Sequence, residues 1–254
     1  MQVPIGNPIE EVNCKLCNSK KKPEKILEVK GMELSRCKEC DVIFANKRIF
    51  REIMRDNVYS RYVPSMFYVG KDAEKKETER LLDAKHQMNI IMKYKKIGKL
   101  ADIGAAAGTF MSVAREYGFD VYGTELSDQS IRVAKAYYDL DIFKGDVEDF
   151  NEKNLDVIVL WNVLEHLYEP QKEMKHLVSL LKDDGIMLIK VPNHTPETLI
   201  DEHMLPEHVF NFNLKSLKFL FKLIGLKILE TQFGMDEKIP TITVVVQKRG
   251  KIKK

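Results

Sequence analysis

The four cysteines of the chain fall in two pairs, Cys14-Lys15-Leu16-Cys17 and Cys37-Lys38-Glu39-Cys40. A C-x-x-C turn aims two thiolates at one point, and the nineteen residues between the pairs match the spacing of a zinc site. Two such turns complete the tetrahedral Cys₄ shell of structural zinc, which keeps no open position for catalysis. Zn²⁺ held by Cys14, Cys17, Cys37 and Cys40 is therefore expected, and no thiol remains for nucleophilic chemistry. Two disulfides would require an oxidising compartment, and the opening residues show no signal-peptide pattern. Both points set the expectation of a cytoplasmic protein. Neither pair follows the apolar strand that a thioredoxin-like redox motif needs.

A second set of chemically useful residues lies between Asp102 and Asn162. Asp102-Ile103-Gly104-Ala105-Ala106-Ala107-Gly108-Thr109 ends a short apolar run in small side chains, which let backbone approach a ligand. It is not a dinucleotide fingerprint: the second glycine of G-x-G-x-x-G is Ala106 and the third is Thr109. Further along, Glu125, Asp146 and Trp161-Asn162 each close a strand-like run. A carboxylate such as Glu125 can accept two ribose hydroxyls, and Asp146 can accept from an adenine amino group. The plainer role of either carboxylate is to cap the helix that follows. Together the four tips suit a nucleoside lying across the edge of a sheet.

The elements needed to position these residues are legible in the pattern. Residues 11–45 read as short strands and turns around the metal, and residues 46–70 are rich in aromatics, Tyr59, Tyr62, Phe67 and Tyr68 among them. Asp72 to Lys96 is helical, with Leu81, Leu82, His86, Met88, Asn89 and Met92 at helix spacing. Strands and helices then alternate. Strands are expected at 100–104, 120–126, 142–146, 156–161 and 186–191, and helices at 109–117, 127–138 and 171–182. Ser127 is a natural N-cap. A helix over 214–224 precedes two strands, 226–233 and 241–247, too close for a parallel crossover and hence antiparallel. The expected architecture is an α/β, doubly wound, seven-stranded Rossmann-like sheet with a terminal antiparallel hairpin, preceded by a small zinc ribbon. The expected division is residues 1–45 for the ribbon, 46–96 for an aromatic and helical linker or lid, and 97–250 for the catalytic domain.

On these motifs residues 99–247 resemble the class I S-adenosylmethionine-dependent methyltransferases. The likeness covers the glycine loop, the acidic end of the second strand, Gly145-Asp146-Val147-Glu148, Asn162-Val163-Leu164-Glu165-His166-Leu167 and Val191-Pro192-Asn193. The whole chain is similar to methyltransferases with an N-terminal Cys₄ ribbon that act in sugar, polysaccharide and natural-product biosynthesis. Pro206-Glu207-His208-Val209-Phe210-Asn211-Phe212 fits that group, although its usual Gly-Cys-Gly loop is Gly104-Ala105-Ala106 here. The resemblance implies S-adenosylmethionine as cofactor, bound by Asp102, Gly104, Ala105, Ala106, Gly108, Glu125, Leu126, Asp146, Val147, Trp161 and Asn162. It also implies methyl transfer to oxygen or carbon of a small-molecule acceptor, sugar-like or nucleotide-linked.

A hydroxyl acceptor needs help in losing its proton, and histidine suits that task near neutral pH. Six histidines are present. His208 is the first choice of base and His166 the second, with His194 and His203 nearby in sequence. His86 and His176 read as structural or solvated. The segment 193–212, with Phe210 and Phe212, is expected to wall the acceptor pocket.

Net charge is +3, unevenly spread: residues 1–100 hold 22 Lys and Arg against 14 Asp and Glu, and the remainder 19 against 24. The basic front part supports a second reading, an RNA methyltransferase that uses the ribbon to bind nucleic acid. Against it, the fourth strand ends Trp161-Asn162-Val163-Leu164 without the Asn-Pro-Pro-aromatic motif of amino-group methylation, and no cysteine is left for pyrimidine C5 chemistry. A third reading is a non-enzymatic cofactor-binding module. No run of eighteen apolar residues is present, so no membrane span is expected.

Overall fold

The computed structural model describes residues 8–29, 32–61, 71–194, 208–236 and 239–249. In chain order these form β1 (Ile9–Glu11), β2 (Glu24–Val29), β3 (Met32–Arg36), β4 (Ile43–Ile49), α1 (Arg51–Asn57) and α2 (Lys71–Ile91). Then follow β5 (Gly98–Ile103), α3 (Thr109–Glu116), β6 (Phe119–Glu125), α4 (Asp128–Tyr138), β7 (Phe143–Lys144) and β8 (Leu155–Trp161). The remainder is α5 (Pro170–Leu180), β9 (Leu181–Pro192), β10 (Phe210–Asn211), α6 (Leu214–Leu223), β11 (Leu226–Asp236) and β12 (Ile239–Lys248).

Seven strands make one sheet in the order β11-β12-β9-β8-β5-β6-β7. β5 pairs in parallel with β6 and β8, and β6 with β7. β11 and β12 pair antiparallel over almost their whole length. The chain leaves β5 toward β6 and β7, then returns to β8 on the other side of β5. That reversal is the topological switch at which open α/β sheets bind ligands. The expected Rossmann-like sheet and terminal hairpin are both present.

The chain divides into two compact units, one of residues 1–58, 161–178 and 189–254, the other of residues 59–160 and 179–188. β8 is the fourth of the seven strands, between β9 and β5. Leu155, Val157, Ile158, Val159 and Leu160 are completely buried, each such side chain stabilising the fold by roughly 1.5–3 kcal/mol. A strand buried on both faces is largely aliphatic, which is why residues 157–160 show no alternation; the one polar residue in the buried run, Asp156, is paired with the Lys182 ammonium at 2.8 Å. Ser127 caps α4 by accepting from the Ser130 N–H at 3.2 Å, and the helix ends on Asp139 in the left-handed region, φ 48°.

Three details differ from the sequence expectation. β7 is only two residues, Phe143–Lys144, because the chain turns at Gly145-Asp146. β9 begins at Leu181, where helix had been expected through Lys182. In α2 the buried face is Ala84, Gln87, Met88 and Ile91, whereas Leu82 is 63 % exposed. Ten of that helix's 21 residues are charged, so its apolar residues left two faces open to choice and packing selected one.

The first unit holds a separate antiparallel sheet, β1-β4-β3-β2. β10 joins it from far along the chain, Phe210 opposite Phe44 and Asn211 opposite Ile43. The rings of Phe44 and Phe210 stack at 6.2 Å, and those of Phe210 and Phe212 at 5.9 Å. All three are at most 1 % exposed. Phe210 and Phe212 are therefore core of the ribbon sheet, not the exposed wall of a pocket; a two-residue strand so distant in sequence leaves no periodic trace.

Candidate functional site

The cysteine quartet is built twice from one local geometry. In each C-x-x-C turn the residue after the second cysteine takes a left-handed conformation, Asn18 at φ 56° and Asp41 at φ 66°. Asn and Asp tolerate that region better than other side chains. Each then donates its N–H to the carbonyl of the first cysteine, Asn18 to Cys14 at 2.7 Å and Asp41 to Cys37 at 2.9 Å. The four Sγ atoms lie within 4.8 Å of one another, with Cys14–Cys40 at 3.6 Å and Cys17–Cys37 at 3.5 Å. A tetrahedron with Zn–S bonds of about 2.3 Å has edges of roughly 3.8 Å, so the donor set fits the ion. Without a cation the thiols oppose one another's ionisation. Burial, then the charge on Cys14, pushes Cys17 up to about 12, while the hydrogen bond from Cys40 brings Cys14 down to about 6. A dication would allow several thiolates to coexist.

In the other unit the small-residue loop is fastened to the second strand. Gly104 and Ala105 both donate to the Thr124 carbonyl, at 2.9 and 3.0 Å. The Ala106 N–H donates to Glu125 Oε2 at 2.9 Å, while Glu125 Oε1 accepts from Leu126 at 2.8 Å and Ser127 at 2.9 Å. Ala106 sits at φ 47°, a left-handed conformation that costs a non-glycine residue roughly 1–2 kcal/mol. The bond to Glu125 offsets part of that cost and aims the loop. Gly108, at φ 79°, admits no side chain: a Cβ would stand 2.8 Å from Leu140 Cδ1. The loop thus needs glycine where it opens α3, and Glu125 as its brace.

Two carboxyls meet behind this loop. Burial, opposed by those three backbone N–H groups, raises Glu125 above the usual carboxylate range. Burial and then the Glu125 charge push Asp102 up to about 8, so Asp102 is a neutral acid at pH 7. The unfolded chain releases this proton near 3.8 and the folded chain near 8. Between those values the native state holds the extra proton, so stability is full at the acid end and falls as pH rises. Asp102→Asn is expected to flatten that slope. Urea midpoints for wild type and variant between pH 5 and 9 check it, and parallel curves would refute it.

Asp146 is engaged locally: its Oδ1 accepts from the Val147 N–H at 2.7 Å, and its own N–H donates to Asp149 at 3.1 Å. Among the described residues no helix stands between Asp146 and β8, so Asp146 closes a turn and does not cap a helix; a carboxylate has about four acceptor directions, so that turn bond leaves room for a ligand.

In the first unit Trp161 ends β8 with the Lys190 ammonium over its ring at 4.3 Å, and Asn162 turns the chain at φ 54°. The 3₁₀ turn Leu164–His166 follows. His166 and His208 face each other edge to face with ring centroids 4.8 Å apart, and His194 lies 6.5 Å from His208. Burial, then His166 and His194, holds the His208 imidazolium down to about 3, so His208 carries an open lone pair at neutral pH. Beneath the rings Glu165 is 1 % exposed, and burial pushes its carboxyl up to about 8. Sequence reasoning noted Glu165 only as part of a motif. Its signal was an acid set inside the apolar run Val163-Leu164-Leu167. His86 is exposed on α2. His203, Tyr62, Phe67, Tyr68 and most of 193–212 lie outside the described residues.

A doubly wound sheet with a small-residue loop after its first strand and an acid after its second defines a nucleoside-binding α/β protein of the Rossmann-like type. Residues 70–231 match the family described as the methyltransferase domain, and the chain belongs to that family. Among curated proteins it is 25% identical over 120 residues to a ubiquinone biosynthesis O-methyltransferase of Rickettsia bellii, covering 45% of this chain and 50% of that protein. It is 25% identical over 122 residues to the protein of the same name in Coxiella burnetii, covering 43% and 50%. The chain thus spans about half the length of the curated relatives it matches. Among solved structures it resembles the magnesium protoporphyrin IX methyltransferase of Synechocystis PCC 6803 with bound SAH, at TM-score 0.62 and 14% identity. That match covers 79% of this chain and 100% of the other. The PH0226 protein of Pyrococcus horikoshii OT3 matches at TM-score 0.55 and 20% identity, with the same coverage. These likenesses are of fold. Among the described residues no helix is long and apolar enough to cross a membrane.

Proposed function

We propose that the protein transfers a methyl group from S-adenosylmethionine to a small-molecule acceptor, at an oxygen or carbon of a sugar-like compound, and that its Cys₄ cluster holds structural zinc. The observation that carries this reading is Glu125, which closes β6 while gripping the loop after β5. The named activities of the curated relatives, O-methylation in ubiquinone biosynthesis, support a small acceptor. When bound, S-adenosylmethionine supplies the methyl group, whose bond to sulfur breaks as the acceptor's lone pair takes it. Glu125 accepts a ribose hydroxyl through the lone pair its three N–H donors leave open. Asp102, neutral at pH 7, keeps the loop free of a second negative charge. His208, with His166 second, takes the proton the acceptor loses.

Glu125→Ala removes an acceptor for ribose and the brace on Ala106. A hydrogen bond to a charged group contributes roughly 1.5–3 kcal/mol, so affinity for S-adenosylhomocysteine should fall at least about tenfold. Calorimetry on this variant and on Glu125→Gln, which keeps the shape, checks it. Unchanged affinity in both, or tighter binding of NAD than of S-adenosylhomocysteine, would overturn the reading.

A further inference from the structure

We propose that Glu165, His166 and His208 form a second metal site, distinct from the cysteine quartet, for a divalent first-row transition ion. One ligand atom from each, a carboxylate oxygen and two imidazole nitrogens, lies within 4.8 Å of the others. The independent observation is Glu165. It is 1 % exposed, and its carboxylate oxygens have no hydrogen-bond partner beyond the residue's own backbone N–H. An ionised carboxylate left so in the interior costs several kcal/mol, and a dication removes that cost. Bonds of about 2.1 Å would set the ligand atoms roughly 3.4 Å apart, a closure that falls to the half-buried His166 and His208.

Two imidazoles and one carboxylate select zinc, iron, cobalt or manganese over magnesium and calcium, which take oxygen ligands. Three protein ligands leave coordination positions open, and an open position takes an oxygen of the acceptor and polarises it. In the loaded protein the His208 lone pair would be on the cation, which would lower the acceptor hydroxyl's pKa so that its proton leaves to water; His208 acts as the base itself only without the ion. The metal site itself stands on its own geometry and does not depend on the methyltransferase reading. Lys190 is the nearby cation that also faces Glu165, with its ammonium over Trp161 at 4.3 Å.

The test uses the full chain with its cysteine site loaded with zinc, titrated with Co²⁺ in the absence of S-adenosylmethionine. Expected is one further equivalent, read by calorimetry, with d–d absorption in the visible and no sulfur-to-cobalt charge-transfer band. Outer-shell partners alone change metal affinity 10–100-fold, so Glu165→Gln and His166→Ala should each weaken binding at least about tenfold. His86→Ala, which removes an exposed histidine elsewhere, should leave it unchanged. Circular dichroism identifies a variant that has lost its fold, and His166→Ala, at a half-buried position, keeps the question open to refutation if Glu165→Gln does not fold. No equivalent beyond the cysteine site, or equal affinity in wild type and His166→Ala, overturns the proposal. A failure to bind S-adenosylhomocysteine would refute the methyltransferase reading and leave this one intact.

Discussion

His208→Ala is expected to lower turnover roughly 10²–10⁴-fold, the range removed with a positioned acid–base group, while S-adenosylhomocysteine binding is kept. Its imidazole is neutral at working pH, because burial and the neighbouring His166 and His194 hold the charged form down. The lone pair is therefore available, whether to the acceptor's proton or to a cation held with Glu165. Loss of the ring leaves the His166–His208 edge contact unmade, so a purely structural role predicts a lower melting temperature with little change in rate per folded molecule. Single-turnover rates and thermal melts on the same preparations separate the two. A normal rate in a destabilised variant would remove His208 from the chemistry.

Cys37→Ser is expected to abolish zinc retention and with it the order of the ribbon sheet. Structural zinc contributes about 10–16 kcal/mol to small domains at pH 7, more than a small five-stranded sheet can replace. The effect should travel within the unit. β4 carries β3 on one side and both β1 and β10 on the other, and β10 begins two residues after His208. When β4 loses its neighbours, Phe44 no longer stacks on Phe210 and His208 loses its anchor. Turnover should fall as in His208→Ala, whereas Glu125 and its loop, held in the other unit, should bind S-adenosylhomocysteine as before. Metal analysis, limited proteolysis and calorimetry measure the three parts. Full zinc content in the variant, or loss of ligand binding together with the ribbon, would refute this account.

These expectations rest partly on what spacing alone conveys and partly on what folding adds. The cysteine quartet was legible because a metal turn is local: C-x-x-C followed by Asn18 or Asp41 encodes its own geometry. The sheet was legible because fully buried strands are largely aliphatic, as residues 157–160 are, and because 226–248 holds no room for a crossover. Glu125 and the loop from Gly104 to Gly108 were legible because strand ends in a doubly wound sheet converge by topology.

Long-range contacts decided the rest. That Phe210-Asn211 pairs with Phe44-Ile43 depends on a two-residue register across more than 160 residues of chain, too short to show a period. That Glu165 turns inward beneath His166 and His208, with Lys190 as its nearby counter-charge, depends on which face of a 3₁₀ turn the fold buries. That Asp102 holds a proton at pH 7 depends on burial beside Glu125. Residue types and spacing determined which side chains could do chemistry; desolvation and neighbouring charge, which exist only after folding, decided the charge state in which each would do it.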